Sequence, residues 1–218
     1  MKTQNQIRNV TITAACAALL CVAATPAGKR VTPIERCLSS SAVAYHDTWH
    51  KLWEDHITWT RMVIMGVLDN LPGTSQYAAR LLQNPADMAT ALQPFYGAAA
   101  AQQFSSLVRE HLLIAVDILN AAKTNNTAAF NEAVARWYQN AHQIAELMAS
   151  LNPKFWPLSQ TEQMWREHLD ATLAEASAHL MGDFAAEVAA YDRVHMLALE
   201  MADFFSNGII QQFLAQFR

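Results

Sequence analysis

Histidine is the residue type in this chain best placed to do chemistry, because it interrupts apolar stripes that otherwise read as core faces of long helices. Stepping three and four residues at a time gives Trp49, Leu52, His56, Trp59, Val63 in one segment and Phe104, Leu107, His111, Ile114, Ile118 in another. A third stripe runs Phe184, Val188, Tyr191, His195, Ala198, Ala202, Phe205, with Asp192 about one turn before His195. A fourth segment has Trp165, Leu169, Leu173 and Ala176 on one face and His168, Thr172, Glu175 and His179 on the adjacent one. That adjacent face reads equally as core or as a solvated surface.

Imidazoles and carboxylates projecting inward from several helices are how bundles hold iron, manganese, zinc or copper. His56, His111, His168 and His195 each fall within about one turn of the middle of their segment, and antiparallel packing brings such midpoints to one level. The expected ligands of a transition metal ion (iron, zinc, copper or manganese) are therefore His56, His111, His168 and His195, with Glu110 and Asp192 as further candidates. Carboxylate-bridged di-iron bundles repeat Glu-x-x-His, whereas here Asp192-x-x-His195 occurs once in a core stripe and Asp47-x-x-His50 nearer a helix end. The alternative is a non-catalytic bundle, binding an envelope partner or a small ligand, whose histidines and carboxylates form a buried structural hydrogen-bond network. His46, His50 and His142 read as peripheral. Nucleophilic catalysis finds little support, since there is no Gly-x-Ser-x-Gly and no phosphate-cradling glycine loop. The six tryptophans read as core or helix-contact residues.

The elements that must position these residues are helices. Hydrophobic residues make up 52% of 218, glycines number only six and prolines seven, and strand-like alternation is hard to find after residue 40. The pattern predicts a long helix from Ser41 to Asp69, stopped by Asn70, Pro72 and Gly73, and a broken helical segment from Thr74 to Gln93, with Asn84 capping before Pro85. Further helices are expected over Ala98 to Lys123 and Thr127 to Leu151, the two joined by Thr124-Asn125-Asn126. Another opens at the capping box Ser159-x-x-Glu162 and ends near Gly182. Asp183 caps the last, which Ser206-Asn207-Gly208 is expected to break. Short connections imply antiparallel neighbours, so the fold class is all-α, an up-and-down bundle of general ferritin-like or hemerythrin-like architecture in a single domain over 41–218.

Residues 1–27 read as a secretory signal: Lys2 and Arg8 precede the uncharged run Val10 to Ala24, followed by small residues. That run is about fifteen residues, short of the roughly 20 a spanning helix needs, so no stable membrane span is expected after cleavage. The expected location is outside the cytoplasm, with residues 28–40 as a leader into the fold. Removing residues 1–27 leaves 13 basic against 19 acidic residues, which argues against nucleic acid as a partner. Two of the three cysteines leave with the signal, so Cys37 has no internal disulfide partner.

Trp53-Glu54-Asp55-His56-Ile57-Thr58-Trp59-Thr60-Arg61 resembles the Trp-Glu-x-His-x-x-Trp-Thr-Arg segment of an uncharacterised family of small bacterial helical proteins. The likeness continues through Arg80-Leu81-Leu82-x-Asn84, Phe95-Tyr96-Gly97, Glu110-His111, Trp137-Tyr138-x-Asn140-Ala141, His168-Leu169, Tyr191-Asp192, Met201-Ala202-Asp203 and Gly208-Ile209. It directs attention to Glu54, His56, Arg61, Glu110, His111, Asn140, His168, Asp192 and Asp203. Some members carry glycosyltransferase or acetylglutamate kinase names. This chain offers neither the strand pattern and Asp-x-Asp motif expected of the first nor the phosphate-binding loop of the second.

Overall fold

The structure is a computed structural model that describes residues 39–218. The expected signal segment, nearly all of the leader and Cys37 lie outside the described residues. The described chain forms six α-helices: α1 (Ser40–Asp69), α2 (Thr74–Leu81), α3 (Asn84–Lys123), α4 (Thr127–Leu151), α5 (Leu158–Leu180) and α6 (Phe184–Gln212). A 3-10 turn, Leu214–Phe217, closes it, and there is no strand among the described residues. No described helix is long and apolar enough to cross a membrane.

Local chemistry explains most boundaries. Ser39, in extended backbone, accepts the Ala42 N–H and caps α1, which ends at Asn70 in the left-handed region (φ 58°). Asn126 and Asp183 cap α4 and α6 in the same way, through the N–H groups of Ala129 and Ala186. The expected break between Gln93 and Ala98 appears as a kink inside α3, where Gly97 adopts φ 79°, ψ 168°, a backbone conformation essentially reserved for glycine.

Three local expectations need correction. Asn84 is fully buried and turns its amide into the core rather than capping a helix. Ser159 and Glu162 form no capping box, because α5 starts one residue earlier after the extended Pro157, and Glu162 pairs with His142 at 2.6 Å. Gly208 does not end α6. The helix continues through it because the missing side chain admits Trp156, whose Nε1 would lie 2.0 Å from an added Cβ.

The helices close into a ring in which α1 packs on α6, α6 on α5, α5 on α4, α4 on α3 and α3 on α1, with α2 against α1. The part of α3 after Gly97 runs parallel to α1 and α5, since Lys123 at its end reaches the Val67 carbonyl and Asn70, while His179 near the end of α5 reaches Asp69. The main core is aromatic, built on Trp49, Trp53, Phe104, Trp156, Trp165 and Phe205. A smaller apolar cluster (Val63, Ile64, Leu68, Leu81, Leu112, Leu119) fills the end where α1 and α3 finish.

Candidate functional site

Polar chemistry sits in three places, two of them on the seam between α1 and α6. On α1 the residues His46, His50, Glu54 and Arg61 recur at four- and seven-residue steps, so they share one face. Opposite them α6 supplies Asp203, His195, Tyr191 and Glu187, in the reverse order that antiparallel packing requires.

At one end of this seam the Nε2 atoms of His46 and His50 both lie 2.7 Å from Asp203 Oδ1. The two rings are 4.3 Å apart, and all three groups are partly accessible. Burial alone would raise the Asp203 carboxyl, but hydrogen bonds from His50 and His46 outweigh it and hold the group below its ordinary value. Asp47 lies 3.9 Å from the other nitrogen of His46, beyond hydrogen-bond reach. Among the described residues these three are the group of His, Cys, Asp or Glu whose donor atoms all fall within 4.8 Å of one another. Donors bonded to one metal at about 2.1 Å stand roughly 3.0–3.4 Å apart, so displacements under about 1 Å would admit an ion.

The second place is the centre of the bundle. His56 and His111 are buried there, as their stripes predict, and so is His168, the ambiguous face of α5 proving to be core. His56 and His168 have ring centres 5.9 Å apart, Trp53 packs against both, and Trp165 lies between His168 and His111. Two asparagines hold two of the imidazoles in an identical way. Asn84 Oδ1 accepts from His56 Nδ1 at 2.9 Å while its amide donates to the Leu52 carbonyl, one turn before the histidine. Asn140 repeats this with His111 Nδ1 (3.1 Å) and the Leu107 carbonyl. Since each amide nitrogen faces a carbonyl, each Oδ1 faces the imidazole and fixes the Nδ1–H tautomer. Burial pushes His56 down to about 4 and His111 to about 3, and places His168 well below its ordinary value. The three are neutral.

The expected six-residue ligand set is not brought together as one group. His195 lies half-exposed on the seam, 2.7 Å from Glu54 Oε1, and Glu110 and Asp192 face solvent. The start of α6 departs from its expected stripe: Phe184 and Val188 are exposed, whereas charged Glu187 turns inward. The reason is Arg61. Its guanidinium donates to Glu187 Oε1 (2.6 Å) and Glu175 Oε1 (3.0 Å) and stacks 4.4 Å over Tyr191.

This third place continues through His179, which bridges Glu187 (3.0 Å) and Asp69 (3.1 Å). Burial lifts Glu175 to about 7 against the opposing pull of Arg61. His179 stands above its ordinary value, because hydrogen bonds to Glu187 and Asp69 outweigh its desolvation.

No family model, curated protein or solved structure matches the chain. Function is therefore read from the geometry of these groups.

Proposed function

We propose that this bundle binds a divalent transition metal (zinc, copper, manganese or iron) through His46 Nε2, His50 Nε2 and an Asp203 carboxylate oxygen. The observation that carries this reading is the convergence of both imidazole nitrogens on one Asp203 oxygen at 2.7 Å. Two imidazoles and one carboxylate leave coordination positions for water or a further ligand, as suits a site that exchanges or senses its ion. The seam is open to solvent there, so an ion enters without unfolding. We also propose that the protein works outside the cytoplasm, a reading supported by the basic, apolar and small-residue order of residues 1–27.

The test is elemental analysis and calorimetric titration of protein carrying no polyhistidine tag. One equivalent of metal is expected, with affinity lowered at least about tenfold (about 1.4 kcal/mol) in His50→Ala and in Asp203→Asn, and unchanged in His195→Ala. Failure of all four metals to bind stoichiometrically, or binding that survives both ligand substitutions, refutes the assignment.

A further inference from the structure

The first two turns of α6 are turned inside out. A helix at the rim of a bundle ordinarily buries its large apolar residues and leaves charge outside. Here Glu187 faces inward, held by Arg61 and His179, while Phe184 and Val188 stand in solvent at 62% and 53% exposure. Leu180 and Met181, just before the helix, are 46% and 76% exposed, and Ala185 and Ala189 are open as well. With Glu187 turned in, the face carries no charge between Asp183, which caps the helix, and Asp192.

The size of this face is that of half an interface. Large apolar side chains present on the order of 150–250 Å² when free, so the exposed fractions, with the two alanines, leave roughly 500 Å². That is within the upper range for the largest apolar patch of a monomer. Two such faces together remove about 1,000 Å², the lower bound for a specific contact between proteins.

The face also fits a copy of itself. Residues 181–189 span about 12 Å of helix, and antiparallel helices related by a two-fold axis bring like flanks together. With Ala185 on the axis, Phe184 lies beside Phe184 of the other copy and Met181 beside its Val188. On the opposite flank Ala185 and Ala189 let the backbones approach closely. Asp192 falls outside the overlap, so no like charges are buried. A membrane-docking face is ordinarily bordered by lysine and arginine. This one is bordered by Asp69, Asp183 and Asp192 on a chain of net charge -4, and Arg193, the next cation along α6, is paired with Glu167.

We propose that this face joins two copies of the chain in a reversible two-fold dimer with the Ala185 turn of α6 on the axis.

The test is sedimentation equilibrium of the protein recovered from cells expressing the full chain, with a thiol reductant present so that no cysteine links two copies. A monomer–dimer equilibrium is expected, with a dissociation constant on the order of 10–100 µM, as suits an interface at the small end of the specific class. Phe184→Asp and Val188→Asp each weaken it at least tenfold. Leu113→Asp, which removes a comparably exposed apolar residue from α3, leaves it unchanged. Without reductant, Ala185→Cys gives a disulfide-linked dimer faster than the unaltered chain and faster than Leu113→Cys, because a residue on the axis meets its own copy within the roughly 7 Å of Cα separation that a disulfide allows. That readout remains if an aspartate variant fails to fold. Four results overturn the proposal: a monomer up to ten times the expected constant, a dimer unchanged in folded Phe184→Asp and Val188→Asp, no excess cross-linking in Ala185→Cys, or a monomer that binds phosphatidylcholine vesicles and loses them in Phe184→Asp, which assigns the face to lipid.

Discussion

Acid is the perturbation to which the central layer makes this bundle most sensitive. His56, His111 and His168 are neutral in the native state, with burial holding the first two near 4 and 3 and the third well below 6.5. In the unfolded chain each returns to about 6.5. Below that value the unfolded chain takes up three protons that the native state refuses, so stability falls by about 1.4 kcal/mol per imidazole per pH unit. By pH 5 the loss is roughly 2 kcal/mol for each imidazole and roughly 6 kcal/mol for the layer. Glu175 acts the other way: burial lifts it to about 7, so the native state gains its proton first and recovers about 2 kcal/mol between pH 7 and pH 5. His179, also raised, contributes in that same sense, its stabilisation being complete below the unfolded value and lost as pH rises through the folded one. A net loss of up to about 4 kcal/mol is large beside the 5–15 kcal/mol of a typical domain. Urea unfolding at pH 7, 6 and 5, followed by far-ultraviolet circular dichroism, measures it. His168→Gln removes one of the three protons, so its slope against pH should fall by about 1.4 kcal/mol per unit whatever its stability at pH 7. Stability that holds constant or rises from pH 7 to pH 5, or an unaltered slope in His168→Gln, refutes the reasoning.

Other outcomes follow from the same geometry. Asn84→Ala and Asn140→Ala each strip the partner from a buried Nδ1–H and remove a bond to a carbonyl one turn earlier, costing about 2–4 kcal/mol by urea unfolding. Arg61→Met leaves Glu175 and Glu187 without their cation and should cost about 3–5 kcal/mol at pH 8 and less as pH falls, because losing Arg61 lifts Glu175 further and the folded variant keeps its proton. Gly208→Ala drives a methyl into Trp156 and should lower stability by about 1–3 kcal/mol, read as a fall in Tm.

The all-helical fold, the burial of His56 and His111 and the stops at Asn70 and at Thr124-Asn125-Asn126 were legible because each depends on local pattern, whereas the face that carries His168 read equally as core or surface. What escaped depends on partners distant in the chain. The His46 and His50 pair carried a visible signal, two imidazoles four residues apart on one helix face, but the carboxylate that gives it meaning lies over 150 residues away on α6. Asn84 looked like a cap because helix starts favour asparagine, yet a core imidazole competes for the same amide. On α6, Phe184 and Val188 yielded the inner face to Glu187, a choice made by Arg61 and His179 and invisible to hydrophobic periodicity. Gly208 read as a breaker because glycine's cost in a helix shows in sequence, while the indole that fills its place does not.

The closure of the helix ring also bears on the order in which the molecule can be made. The polar edge of α1 (His46, His50, Glu54, Arg61) meets its partners mainly on α6, more than 120 residues later in synthesis. Until that helix emerges, a nascent chain carries this edge solvated and without its counterparts, even where α1 already rests against α2 and α3. The convergence of His46, His50 and Asp203 thus waits on α6: any product that stops short of Asp203 has both imidazoles but nothing to gather them.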